Sequence, residues 1–202
     1  MDNSEESRRA YFEELRKRNR TPHFPFVNLP PTERLVFEML TEDNMMVIYE
    51  LFKDDENPFV EKYYKDEKLL KECMDIQLYQ QRFSAKRGAC DWLMKLKETQ
   101  TYVGLLNLYN LSLEDFNDNH KKCMIGFSTS AAFRRKGYTQ EAVLGLMEHI
   151  AVHYQRNIIR AYAKKDNLAS KGLLQKIGFQ NCNNEYDFTE QYDYFELVKE
   201  VC

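Results

Sequence analysis

Glycine is scarce in this chain, with seven residues among 202, about half the usual frequency. Proline is scarcer still, at five, and every one lies at or before Pro58. Six of the glycines (Gly104, Gly126, Gly137, Gly145, Gly172 and Gly178) fall between positions 104 and 178. A chain that avoids glycine uses it where the backbone must turn or be approached closely, so chemistry is expected in that stretch. Cysteine is present five times, at Cys73, Cys90, Cys123, Cys182 and Cys202. The odd number, wide spacing and lack of a CxxC pair exclude a disulfide framework and predict reduced thiols in a cytoplasm. Of four histidines only His149 and His153 could share a helix face, and no third ligand stands near them, so no metal site is expected. No apolar run approaches the ~20 residues of a membrane helix. The opening Met1-Asp2-Asn3-Ser4-Glu5-Glu6 is acidic and polar, which predicts no signal peptide. An excess of basic charge is also missing. Against 32 acidic residues stand 29 basic ones, a net charge of −3, which disfavours general binding to nucleic acid.

What is present fits a soluble globular domain. Hydrophobic residues make up 43% of the chain and charged residues 30%. A chain of this length buries on the order of 70% of its unfolded surface and needs neither disulfide nor metal to hold its core. Residues 1–31 stand apart. A helix through Tyr11, Phe12 and Leu15, capped by Asn3 or Ser4, runs into a proline-rich break ending at Pro30-Pro31. This segment is expected to pack on the domain surface as an extension, with residues 32–202 forming the domain. The regular pattern starts at Arg34. Alternation predicts strands over Arg34–Leu40, Cys90–Lys97, Thr101–Tyr109, Met124–Thr129, Ile158–Ala163, Phe179–Cys182 and Tyr192–Val198. Helical spacing predicts helices after Thr41 and Asp43, over Glu67–Phe83, over Thr139–Tyr154 and over Asn167–Ile177, with a polar loop at Leu111–His120. The order β-α-α-β-β-β-α-β-α-β-β closes naturally as a mixed α/β sheet with helices on both sides. Its Met124-to-Ala163 β-α-β unit should be a right-handed parallel crossover.

The loop between the Met124 strand and the Thr139 helix reads Ala132-Phe133-Arg134-Arg135-Lys136-Gly137-Tyr138-Thr139. A helix start carries unpaired N–H groups and about half a positive charge. Gly137 permits close approach of the backbone, and Arg134, Arg135 and Lys136 add positive potential. This is the make-up of a phosphate site. It is neither GxxxxGK[ST] nor GxGxxG, so a Walker loop and a dinucleotide fingerprint are excluded. The alternative is a basic turn before an ordinary amphipathic helix.

A second segment runs Asp166-Asn167-Leu168-Ala169-Ser170-Lys171-Gly172-Leu173-Leu174 and continues to Gly178-Phe179. Together with Arg134-x-x-Gly137-x-Thr139 it resembles the GCN5-related N-acetyltransferase (GNAT) superfamily, whose acetyl-CoA loop reads Q/R-x-x-G-x-G/A. The opening Glu33-Arg34-Leu35-Val36-Phe37 through Asp43 is similar to the RimJ/RimL-like subgroup, which acetylates ribosomal-protein N-termini. The resemblance covers about residues 32–198. It implies a mostly antiparallel mixed sheet of about seven strands flanked by about four helices. It implies acetyl-CoA as the acyl donor, with pantetheine against Ile125, Gly126, Phe127 and Ser128. The pyrophosphate would lie on the loop Arg134, Arg135, Lys136, Gly137, Tyr138 and Thr139, through the amides of Arg135 to Thr139. Asn167 would bind the cofactor's amide region, and Ser170 would protonate the leaving thiolate.

Three residues depart from the family pattern. Thr139 replaces a small Gly or Ala. Leu174 stands where many members carry an acidic Tyr. Cys182 stands where the RimJ/RimL-like subgroup often places a Glu. The resemblance leaves the general base open among Glu38, Asp91, Tyr102 and Glu185, acting through water. The acidic run Asp54-Asp55-Glu56 could attract a cationic acceptor or be a solvated helix end. The reading that follows is transfer of acetyl to a primary amine by direct attack, the acceptor being a protein N-terminus. The alternatives are a small-molecule amine of polyamine or aminoglycoside type, or a silent acyl-CoA-binding module. A cytoplasmic monomer or homodimer is expected, without nucleic-acid, membrane or metal partners.

Overall fold

The computed structural model describes residues 28–74, 89–109, 122–154, 156–183 and 191–198. Seven strands form one sheet: β1 (Leu35–Met39), β2 (Cys90–Leu96), β3 (Tyr102–Tyr109), β4 (Lys122–Thr129), β5 (Ile158–Lys164), β6 (Gln180–Asn181) and β7 (Tyr192–Val198). Their spatial order is β1-β2-β3-β4-β5-β7-β6. All neighbours are antiparallel except β4 and β5. Four helices flank the sheet: α1 (Met46–Phe52), α2 at 67–74, α3 (Tyr138–His149) and α4 (Leu168–Ile177). The predicted helix over residues 75–83 and the predicted loop at Leu111–His120 lie outside the described residues.

Alternation along β2 explains why the sheet is covered on both faces. Trp92 and Met94 join a core with Leu146 and Ile150 of the α3 segment, whereas Leu93 joins a second core with Ile48 and Phe52 of α1. Both sets are buried, which no half-solvated sheet would give. Leu29, within the segment expected to pack on the domain, is also buried in the first core.

Two elements differ from expectation. The helix expected over Thr139–Tyr154 is α-helical only to His149 and continues as a π turn over Ile150–Tyr154. The wider turn buries both Ile150 and Tyr154. The first helix is not capped by Thr41 or Asp43. Its cap position is Met45, without a side-chain bond, and the preceding turn is organised by Asn44. The Asn44 side chain accepts from the Thr41 N–H at 2.7 Å and donates to Glu38 at 2.9 Å.

The β4–β5 pairing places the site. It covers only Lys122↔Ile158, Cys123↔Ile159 and Met124↔Arg160. Beyond Met124, β4 continues along β3 as far as Thr129, while β5 continues along β7 as far as Lys164. The two central strands therefore diverge, and from Ile125 onward the β4 edge toward β5 has no strand partner among the described residues.

Candidate active site

The loop following β4 is held from several directions. Ser130 is buried and donates its N–H to the Val103 carbonyl at 3.0 Å. A single 3-10 turn, Ala131–Phe133, then leads to Arg135 and Gly137, at φ +61° and +81°. Left-handed residues placed this closely bend the chain so that successive N–H groups converge, a concavity suited to an anion. It opens onto the start of α3. The first intrahelical bond there runs from the Glu141 N–H to the Gly137 carbonyl at 3.1 Å, leaving amides 138–140 without intrahelical partners. A Cβ at Gly137 would stand 3.3 Å from Arg34 Nη2.

Arg34 braces this loop, a role that the sequence reading missed. Its Nε donates to Glu141 Oε2 at 2.6 Å and its Nη1 to the Lys136 carbonyl at 3.0 Å. Its guanidinium lies 4.7 Å above the Tyr138 ring. Glu141 also accepts from the Arg34 N–H at 2.7 Å and the Thr32 hydroxyl at 2.5 Å. Burial disfavours this carboxylate, but these hydrogen bonds outweigh it and hold Glu141 below the usual carboxylate range.

The basic cluster divides on inspection. Arg135 and Lys136 are exposed, with Lys136 Nζ 5.1 Å above the Phe133 ring. Arg134 turns inward. Its Nε donates to the Thr129 carbonyl at 3.0 Å, and its Nη2 pairs with Asp55, whose side chain is 3% exposed. The Asp54-Asp55-Glu56 run is therefore not three solvated charges. Its middle member is a buried structural partner. The Thr139 hydroxyl pairs with that of Thr129 at 2.6 Å, and its β-branch is accommodated.

A cavity of about 550 Å³ lies between this loop and α4. Phe127, Ser128, Gly137 and Thr139 line one side, Asn167, Ser170 and Leu173 another, and Asn57 and Phe59 a third. Gln140 also lines it and was missed. Asn167 caps α4, its side-chain oxygen accepting from the Ser170 N–H at 3.2 Å. The free β4 edge, the convergent amides and this cavity are what pyrophosphate and an amide-bearing arm require. The residues present thus fit coenzyme A.

A second cavity of about 160 Å³ opens where β4 and β5 part. Glu61, Tyr63, Tyr109, Tyr162 and Tyr192 line it, and it shares Phe59, Phe127, Ser128, Asn167 and Ser170 with the first. Burial pushes the Tyr63 and Tyr109 phenols well above their ordinary range, so they stay protonated.

The expected residues sort against these cavities as follows. Ile125, Gly126, Phe127 and Ser128 lie along the gap, and Asn167 and Ser170 at the junction. Leu174, expected on the cavity face, is instead fully buried in the core, and Leu173 takes that face. Cys182 lines neither cavity, and its N–H bonds the Tyr194 carbonyl at 2.9 Å. Glu38 and Tyr102 also stand away from both. The Tyr102 hydroxyl donates to Glu38 at 2.7 Å, and that bond raises its pKa to about 12. Hydrogen bonds from Asn44 and Tyr102 lower the Glu38 carboxyl. Asp91 is buried behind Asn107, which lines the second cavity and donates to it at 2.5 Å. Glu185 is outside the described residues. Glu61 is the carboxylate that the structure adds.

The family model for the acetyltransferase (GNAT) domain matches residues 34–180. The chain belongs to the GNAT family. It is an acetyl-CoA-dependent N-acetyltransferase. The uncharacterized N-acetyltransferase YoaA of Bacillus subtilis (strain 168) is 26% identical over 152 residues, 74% of this chain and 81% of YoaA. Among solved structures, RimL, a ribosomal alpha-N-protein acetyltransferase in complex with coenzyme A, is similar at TM-score 0.62 and 16% identity. That match covers 86% of this acetyltransferase and 99% of RimL. A chimera of the spermidine N-acetyltransferase SpeG from Vibrio cholerae with hSSAT is similar at TM-score 0.62 and 13% identity, covering 82% and 96%. Both share the fold.

Proposed function

We propose that this acetyltransferase acetylates a primary amine by direct attack, at the junction of its two cavities. The divergence of β4 and β5 carries the reading, because it frees a strand edge between a phosphate-binding loop and a tyrosine-lined chamber. Acetyl-CoA supplies the thioester acyl group. Amides 135–139 and the charges of Arg135 and Lys136 hold the pyrophosphate, and Ile125 to Ser128 offer backbone groups to pantetheine. The Asn167 side-chain N–H₂, left over from capping, serves an amide of that arm. A β4 N–H stabilises the negative oxygen as the amine attacks. Ser170 gives a proton to the departing sulfur and recovers, through water, the second proton that the acylated nitrogen loses. Glu61, acting through water, takes the proton from the amine before attack, because only the free lone pair is nucleophilic.

The 160 Å³ chamber admits the tip of an amine-bearing arm. We assign the acceptor as a protein N-terminus, the role named for the similar RimL structure. A polyamine presents a comparable arm, and the SpeG likeness favours that second reading. Thiol release from acetyl-CoA, measured with short peptides bearing free N-termini, with spermidine and with an aminoglycoside, separates them. Faster turnover of peptides is expected. A clear preference for spermidine establishes the second reading, and no release with any amine sinks both.

A further inference from the structure

We propose that the Arg134–Asp55 ion pair is a positioning device that ties the coenzyme loop to the wall of the acceptor chamber, so that a ligand on the loop stiffens residues 55–61. This rests on the reading that amides 135–139 hold the coenzyme pyrophosphate. The two residues lie 79 positions apart and belong to elements with no strand pairing between them. Asp55 follows α1 and shapes the turn after it. Its Oδ1 accepts from the Asn57 N–H at 3.0 Å, and Asn57 Oδ1 accepts from the Phe59 N–H at 3.0 Å. Lys65 Nζ donates to the carbonyls of Asp55 and Asn57. The turn so wound presents Asn57, Phe59 and Val60 to the coenzyme cavity and Phe59 and Glu61 to the chamber.

The other Asp55 oxygen meets Arg134. A carboxylate this deeply buried must stay paired, because desolvation penalises it when alone. The same guanidinium is anchored on the Thr129 carbonyl, where β4 ends. Arg134 therefore connects three things: the free strand edge, the left-handed loop at Arg135 and Gly137, and the shared wall. An anion held by the loop amides fixes the Arg134 backbone and, through its side chain, the turn at Asp55.

Hydrogen exchange on the full chain, with and without coenzyme A, tests this without an acceptor. Asp55→Asn keeps an oxygen for the Asn57 N–H but loses the one that takes the guanidinium. Arg134→Gln removes the pair from the other side. In the wild type, coenzyme A should slow exchange about tenfold at both 135–139 and 57–61, since exchange reports local opening. In either variant the slowing should persist at 135–139 and fall below about twofold at 57–61. Full slowing at 57–61 in the variants, or none there in the wild type, overturns the proposal. Absence of slowing at 135–139 in the wild type overturns the coenzyme reading beneath it. If the unpaired variants do not fold, Asp55→Asn with Arg134→Met removes both charges together while keeping an oxygen for the Asn57 N–H and must show the same selective loss.

Discussion

Ser170 borders both cavities, its N–H is committed to Asn167, and its hydroxyl has no partner among the described residues. It is free to act on a leaving sulfur. Ser170→Ala should lower turnover about 10²-fold or somewhat less, with coenzyme A affinity unchanged. Because a thiol pKa lies near ~8.5, the thiolate leaves unaided more easily at high pH. Rate profiles should therefore show a larger loss near pH 6 than near pH 9, and a flat profile would reduce Ser170 to positioning. The place of this serine beside the cavities was legible because its helix resembles a family pattern. Its neighbour was not. Positions three and four residues on share a helix face, so sequence could not choose between Leu173 and Leu174. The packed structure makes the choice, with Leu174 in the core and Leu173 on the cavity. Arg134 was opaque for another reason. The basic run reads as positive potential at a phosphate site, and only the fold brings Asp55 to Arg134.

At the scale of elements, the loop and the first turn of α3 depend on a brace from β1. Glu141→Gln weakens the carboxylate that takes hydrogen bonds from Thr32 and Arg34. Coenzyme A affinity should fall severalfold, and calorimetric titration reads it. The pH dependence has a definite sign. Glu141 has a lowered pKa in the folded protein, so its stabilisation is complete above the unfolded value of about 4.3 and is lost as pH falls through the folded value. Urea melts should separate the wild type from Glu141→Gln at pH 7 and converge in strong acid. A gap that widens in acid would contradict the assignment. Alternation made the strands readable here, and apolar spacing the helices. The π turn at Ile150–Tyr154 was not readable, because one widened turn leaves the apolar spacing of a continuous helix almost unchanged.

For the whole molecule, the neighbours from β1 to β5 follow the succession of elements, with the one parallel pair joined by the expected helical crossover, whereas β7 lies between β5 and β6, which the succession alone does not announce. Nothing in the composition of either strand announces the divergence of β4 from β5. The expected extension contributes to the core at Leu29. Leu29 is 4% exposed, and removing a buried leucine costs roughly 2–5 kcal/mol. A chain starting at Asn28 should keep coenzyme A affinity. One starting at Thr32 should lose about that much stability in denaturant melts. Equal stability of the two would place Leu29 outside the working core. Loss of coenzyme A binding in the chain starting at Asn28 would show that residues 1–27 serve the site.

The parting strands also leave the sheet as two groups with a short join, over one shared apolar core. β1 to β4 form a meander of neighbours in sequence, β5 to β7 form a second group, and three register pairs join them. Such a seam is expected to be where the sheet opens first. A ligand wedged along the free edge closes it, and by mass action a concentration a hundredfold above its Kd adds about 2.7 kcal/mol. The survival of this enzyme against proteases would then follow the supply of its own acyl donor, so that a cell poor in coenzyme A would keep less of the protein that consumes it.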